Sequence, residues 1–328
     1  MSENLKQAIL EAVAGDLADI EKSLMENLTP YLDRVREIAG HILFGGGKRI
    51  RPLLMILSAR ICGYEKDDAA AFAILFEYLH TATLLHDDLV DYASVRRGKP
   101  VANVIWGNAS AVLTGDFLLA RASSLAVKTR KMEILEILAR ITEDMSQGEL
   151  HQLVRKGDPE LSEEEYLQII RNKTAVLMQG ACLSGAILAD ATPEQKLALS
   201  DYGLNLGMAF QMADDLLDYI SDSEQLGKTV GADLREGKFT LPLIASLARA
   251  GRGDDADKIK DIMGKREFSV DTFQTLNRLL DQYGGIAYTR SCAAAYVDRA
   301  KAALSPFAPS PTGNVLAMLA DYTLKRNS

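Results

Sequence analysis

The sequence predicts an all-α protein. Apolar residues recur at steps of three and four through almost every segment, no stretch alternates with period two, and several of the only 9 prolines in 328 residues stand where helices begin. The elements follow in order. Gly45-Gly46-Gly47 ends a first helix over about 31–44, and Gly63 ends a second over about 48–62. Further periodic runs predict helices over 67–93, 109–128, 131–154, 162–190, 194–221, 241–250, 270–283, 286–304 and 313–326. Ser162 with Glu165 is a capping-box signature opening 162–190, and Thr192, Pro193 and Gln195 supply a cap, a first-turn proline and a reciprocal amide for 194–221. Two segments rich in Gly and Lys or Arg, 94–100 and 221–240, break the pattern, each directly after a helix that ends in aspartates. No linker-like tract and no internal repeat divides the chain, so a single domain over 1–328 is expected.

Lys and Arg total 37 against 45 Asp and Glu, a net charge of -8, and 48% of residues are hydrophobic against 25% charged. Such a chain folds and stays in water. The acidic balance argues against a general nucleic-acid binder, which needs phosphate-neutralising Lys and Arg in excess, so no nucleic-acid partner is expected. Cys62, Cys182 and Cys292 stand singly, with neither a disulfide framework nor a CxxC metal knuckle, which points to a reducing compartment. The start, MSENLKQAIL, lacks the basic region and apolar core of a signal peptide, and the most apolar stretch, 69–85, is interrupted by Glu77 and His80. A cytoplasmic protein without a membrane span is expected.

Chemistry concentrates at two acidic turns. Asp87, Asp88 and Asp91 fall within one turn of an apolar helix, with Asp87 and Asp91 on one face, and Asp214, Asp215 and Asp218 repeat that spacing on another. One such turn alone is more often an exposed acidic surface; two flanked by Leu, Val and Met point into a cleft. Carboxylates without Cys or paired His are hard oxygen donors, suited to Mg²⁺ or Mn²⁺ rather than zinc, and Mg²⁺ commonly completes its shell with substrate phosphates. Two facing clusters therefore suggest a clamp on a diphosphate. Counter-charge stands where that clamp needs it: Lys48 and Arg51 in GGGKRIRP, Arg96 and Arg97 after the first cluster, Lys228 and Lys238 after the second. Gly45 to Arg49 is not a nucleotide loop, because Arg49 follows Lys48 where Ser or Thr is required and a helix precedes in place of a strand. Glu77 with His80 fits half of a di-iron bundle signature, whose second copy the chain lacks.

The motifs GGGKRIRP, EYLHTATLLHDDLVD, RRGKP, NKTA, FQMADDLLD and LGKTVGADLREGKFTLP, which span nearly the whole chain, resemble the trans-isoprenyl diphosphate synthase family, and most of all its long-chain bacterial members. The resemblance implies the terpenoid synthase helical bundle with a central cavity, three Mg²⁺ ions per site, and a homodimer. It implies that Asp87, Asp88 and Asp91, with Asp214, Asp215 and Asp218, hold the metals, Asp87, Asp91 and Asp214 most firmly. By the same resemblance Lys48, Arg51, His80 and Arg97 bind isopentenyl diphosphate, while Arg96, Lys173, Thr174, Gln211, Lys228 and Lys238 hold an allylic diphosphate such as farnesyl diphosphate. Tyr92-Ala93 departs from the family, whose members usually carry a polar or acidic residue after the last aspartate.

Ala82 and Thr83 lie one turn before Asp87 on roughly the same side of the helix, where they would line a cavity beneath the metal site. Both are small, whereas short-chain members of the family commonly carry Phe or Tyr there, so an open tunnel and a product of about C35 to C45 are expected, C40 above all, of the kind used for quinone side chains. A short-chain synthase, a terpene cyclase of the same fold and a non-catalytic subunit remain the alternatives. The complete second cluster with Lys48, Arg51 and His80 counts against the last two.

Overall fold

Residues 2–220, 232–265 and 269–325 are described by a computed structural model. The helices are α1 Ser2–Ala12, α2 Ala14–Asn27, α3 Asp33–Leu43, α4 Ile50–Ile61, α5 Ala69–Val90, α6 Ala102–Trp106, α7 Asn108–Lys128, α8 Met132–Val154, α9 Glu163–Ile170, α10 Val176–Leu188 and α11 Pro193–Ile220. They continue as α12 Ala232–Arg235, α13 Leu241–Ala250, α14 Asp254–Met263, α15 Val270–Gln282, α16 Gly285–Ala303 and α17 Pro311–Lys325. Both capping signals work as read. The Glu165 amide donates to Ser162 Oγ at 3.2 Å while the Ser162 amide donates to Glu165 Oε2 at 3.1 Å, and Thr192 and Gln195 exchange the equivalent pair at 3.2 and 3.0 Å.

Two helices carry the acidic turns. α5 packs mainly on α7, α4 and α2, and α11 lies between α10 and α16, with α10 reaching α4 and α8 on its other sides. One apolar core joins α1 to α5, α7, α8, α10, the first half of α11 and α17; a second gathers α9, the second half of α11 and α13 to α16. Tyr296 and Leu324 pack against both. The acidic turns thus sit near helix ends anchored by well-packed stretches, with Asp88 and Asp215 themselves buried and the other aspartates more open.

Two sequence expectations are corrected. The segment 162–190 is not one helix: Arg171 to Ala175 form a π turn, where the Val176 amide reaches back five residues to the Arg171 carbonyl. The turn is held from two sides by glycines. A Cβ on Gly148 of α8 would stand 2.8 Å from both Asn172 Cβ and the Lys173 amide, and one on Gly207 of α11 would stand 2.5 Å from Ala175 Cα. Only hydrogen at these positions lets both helices approach the turn this closely. The second correction concerns 94–100, which is not without strands. Val95–Arg96 pairs antiparallel with Lys99–Pro100 around Arg97 and Gly98, whose φ values of 52° and 74° make the connection a two-residue turn of the type I′ kind. Arg at the first turn position hid the hairpin, because Asn or Asp is the usual signal there.

Of the second loop, Ala232 to Arg235 form one helical turn, and residues 221–231 lie outside the described residues. α1, α2, α6 and α14 were not foreseen; in α14 four buried apolar residues are outnumbered by Asp and Lys. All three cysteines are free. α5 and α7 are long and apolar enough to cross a membrane by length and composition, but 67% of the α5 window is buried inside the protein, against 39% for α7.

Candidate active site

At the first cluster, α5 ends on the aspartates of its acidic turn. Asp91 caps the helix, its amide bonded to the Asp87 carbonyl, and the hairpin folds back so that Arg96 Nε donates to Asp88 Oδ1 at 2.8 Å. Asp88 is almost fully buried, and its Oδ2 lacks a hydrogen-bond partner. Burial, then the neighbouring Glu149 charge, push the Asp87 carboxyl up to about 7, against the opposing pull of Lys173. The acid gathered here exceeds the base: Asp87, Asp88, Asp91 and Glu149 stand against Arg96 and Lys173.

The second cluster is built differently. Asp215 is buried, with Tyr166 Oη donating to Oδ2 at 2.6 Å and Gln211 Nε2 donating to Oδ1 at 2.8 Å. Thr174 Oγ1 donates in turn to Gln211 Oε1 at 2.8 Å, so the π turn, α9 and α11 are joined by one chain of hydrogen bonds. Burial pushes the Asp215 carboxyl up to about 6 despite those two donors. Asp214 is exposed and Asp218 half-buried on the same helix. Lys173 is held by Glu149 of α8 and donates to Gln152 Oε1 at 2.7 Å. A cleft of about 580 Å³ is lined by Lys173, Thr174, Gln211, Asp215 and Lys238 together, so five residues singled out from the sequence share one wall system.

Arginines gather beside the first cluster. Arg51 is half-buried, with its Nε fully enclosed, and feels the charges of Glu77, Arg97 and Asp214; desolvation lowers its pKa. A cavity of about 330 Å³ is lined by Asp88, Arg96 and Arg97 with Lys99 and His41 of α3. Lys48 lines another, of about 350 Å³, otherwise mostly apolar, with Met178, Leu206, Phe210, Leu319 and Tyr322. Lys228 lies outside the described residues. Ala82 is fully buried in the main core, while Thr83 is half-buried and donates Oγ1 to the His80 carbonyl at 2.8 Å.

His80 has a pKa well below the ordinary value, through burial first and then Arg51, Arg96, Arg97 and Arg49, with Glu77 the carboxylate acting on the same arginines. A neutral imidazole is thus built in. The sign follows: the unfolded chain takes up this proton below about pH 6.5 and the folded one does not, so stability falls as pH drops through that value. In an NMR titration the His80 ring protons should show no inflection above about pH 6; a midpoint near 6.5 would contradict the assignment. The arginines around it also dispose of a di-iron site, since they repel a cation and Glu77 is engaged by Arg49.

The sequence reading missed Tyr166, Glu149 and Gln152, and met Glu77 and Arg49 only within motifs that it set aside. A signal existed for Glu149 and Gln152, which stand three apart beside Gly148 on α8; Tyr166 sits in a capping sequence that drew attention to the cap alone. Among the described residues no three Asp, Glu, His or Cys side chains converge as a ready cage. Mg²⁺ needs none, since one or two carboxylates with phosphate and water satisfy it, and an all-carboxylate donor set with an orphaned buried Asp88 oxygen fits that ion.

Comparison with known proteins adds to this geometry. The profile of the family described as polyprenyl synthetase matches residues 32–280. Octaprenyl diphosphate synthase of Escherichia coli (strain K12) is 39% identical over 324 residues, 98% of this chain and 99% of that protein. The short chain isoprenyl diphosphate synthase of Methanothermobacter thermautotrophicus is 35% identical over 318 residues, 95% of this chain and 96% of that protein. A crystal structure of polyprenyl synthase from Caulobacter crescentus CB15, complexed with calcium and isoprenyl diphosphate, superposes with a TM-score of 0.91 at 42% identity, covering 98% of this chain and 97% of that one.

Proposed function

Since the chain belongs to the polyprenyl synthetase family and is a trans-prenyl diphosphate synthase, we propose that it extends an allylic diphosphate such as farnesyl diphosphate with isopentenyl diphosphate to a long product of about C40. The observation that carries this reading is the pair of acidic turns on α5 and α11, each with its own basic partners: Arg96 on Asp88, and Lys173 and Lys238 beside Asp215. Lys48, Arg51, His80 and Arg97 are proposed to bind isopentenyl diphosphate. Arg96, Lys173, Thr174, Gln211, Lys228 and Lys238 are proposed to hold the allylic diphosphate.

Asp87, Asp88, Asp91, Asp214, Asp215 and Asp218 are the residues proposed to hold Mg²⁺, three ions per site with Mn²⁺ as a substitute. Bound there, the metal supplies Lewis-acid stabilisation of charge on the departing pyrophosphate. Arg96, Lys173 and Lys238 add fixed positive charge at the same oxygens, so that the allylic C–O bond breaks to a delocalised cation. The alkene of isopentenyl diphosphate attacks that cation, and the proton then lost goes to the pyrophosphate, so no aspartate serves as a general base. Neutral His80 donates a hydrogen bond without adding another charge to the arginine group. Exposed Val112, Leu113 and Val127 on α7, with Val104 and Ile105 on α6, support a homodimer across this face.

Incubation with Mg²⁺, radiolabelled isopentenyl diphosphate and farnesyl diphosphate, followed by reversed-phase sizing, is expected to give products centred near C40. Products that end at C15 to C20 would overturn the long-chain reading. One observation favours that shorter alternative: Ala82 is fully buried in the main core rather than beside an opening. Ala82→Tyr separates the two. A ring entering a tunnel should shorten products to about C15 to C20 and spare ionisation, whereas a ring forced into packed core should cost about 1–3 kcal/mol of stability with product length unchanged.

A further inference from the structure

Between Lys48 and Arg51 stands a residue with a different task. We infer that Arg49 is a positioning residue for the isopentenyl diphosphate subsite, its buried guanidinium clamping the turn that presents Lys48 and Arg51. This rests on the proposed role of those two residues. Arg49 is 5% exposed and each of its three guanidinium nitrogens is engaged within the protein: Nε with Glu21 of α2, Nη1 with Glu77 of α5, and Nη2 with the Leu43 carbonyl that ends α3. Three elements are thereby tied to the residue that begins α4. A guanidinium so occupied is not itself a ligand for an anion; it faces inward while its neighbours face the site.

The backbone supports the same division. Arg49 has φ 49°, in the left-handed region that a long side chain seldom occupies, and the surrounding contacts hold it there. Gly47 makes room for it: a Cβ at that position would lie 2.9 Å from Arg49 Nη1 and 3.7 Å from Arg97 Nη1. On α5, Glu77 stands three residues before His80, so the carboxylate that anchors Arg49 also acts on Arg51 and Arg97. One buried acid thus keeps a crowd of guanidinium groups together before any diphosphate arrives. Lys at position 49 would keep the charge and lose the fork, since an ammonium cannot reach three acceptors in one plane.

The test uses Glu21→Gln and Arg49→Lys in the full chain. Glu21 is 41% exposed, so its variant loosens the clamp from the solvent side and should fold even where Arg49→Lys does not. Isothermal calorimetry with isopentenyl diphosphate should show binding weakened about fivefold, and steady-state kinetics a matching rise in its KM with the KM for farnesyl diphosphate unchanged within about twofold. A merely structural role would lower the melting temperature and leave this split flat. Wild-type affinity in Glu21→Gln, or equal shifts for both substrates, would overturn the clamp. Binding is read without turnover, so a wild-type protein that binds but does not elongate counts against the proposed activity and not against Arg49.

Discussion

Replacing Asp87 by Asn, or Asp214 by Asn, should slow turnover by about a thousandfold or more, equivalent to ~4 kcal/mol of lost transition-state stabilisation. The reaction develops charge on a leaving pyrophosphate, and the carboxylates are the proposed means of holding Mg²⁺ against it. Stability should move little, or rise, in Asp87→Asn. Asp87 is half-buried with the Glu149 and Asp91 charges nearby, so an amide relieves repulsion in the metal-free protein. The two effects run in opposite directions, which makes the experiment informative. Single-turnover kinetics at saturating substrates, with Mg²⁺ varied and melting temperature measured alongside, should show a folded and inactive protein. Near-normal turnover in either variant would sink the two-cluster clamp.

Gly207→Val should act through position rather than charge. The new side chain begins 2.5 Å from Ala175 Cα and 2.8 Å from its Cβ, so α11 and the π turn must separate. Overpacking of this kind costs about 1–3 kcal/mol. The displacement also strains the Thr174–Gln211–Asp215 chain, whose hydrogen bonds are all 2.8 Å. Melting temperature should fall and the KM for the allylic diphosphate should rise together, and Gly207→Ala should give the smaller version of both. Unchanged stability in Gly207→Val would mean that the contact is not tight.

How much of this was legible beforehand varies with the kind of signal. The acidic turns were plain, because two runs of the same spacing in apolar helices leave few readings, and the comparisons bear out the synthase family and the all-α fold. The caps were plain for a similar reason, each being a local pattern with a local cause. The hairpin was not, since its turn has Arg97 where sequence rules look for Asn or Asp. Nor was the π turn, because Arg-Asn-Lys-Thr-Ala is as acceptable in an α-helix as in a π one, and the tight approach of Gly148 and Gly207 is a tertiary fact. Arg49 was overlooked for being polar among polar neighbours; its inward direction comes from partners on α2, α3 and α5, far off in sequence.

The π turn also sets the phase between its two flanking helices. In a continuous α-helix each residue advances by about 100°, and the turn takes up one residue beyond that count. Upstream, the phase is set by Tyr166 meeting Asp215. Downstream it is set by Gly180, where a Cβ would strike Ile141, and by Cys182, whose sulfur would meet a Cβ on Gly203. Deleting Asn172 would let the hydrogen-bond ladder run through unbroken, and the segment would remain helical by circular dichroism. One face or the other would then be rotated by about 100° out of its seat. In this stretch the residue count matters more than helix propensity, so conservative substitutions along 163–188 are better tolerated than the loss of a single position.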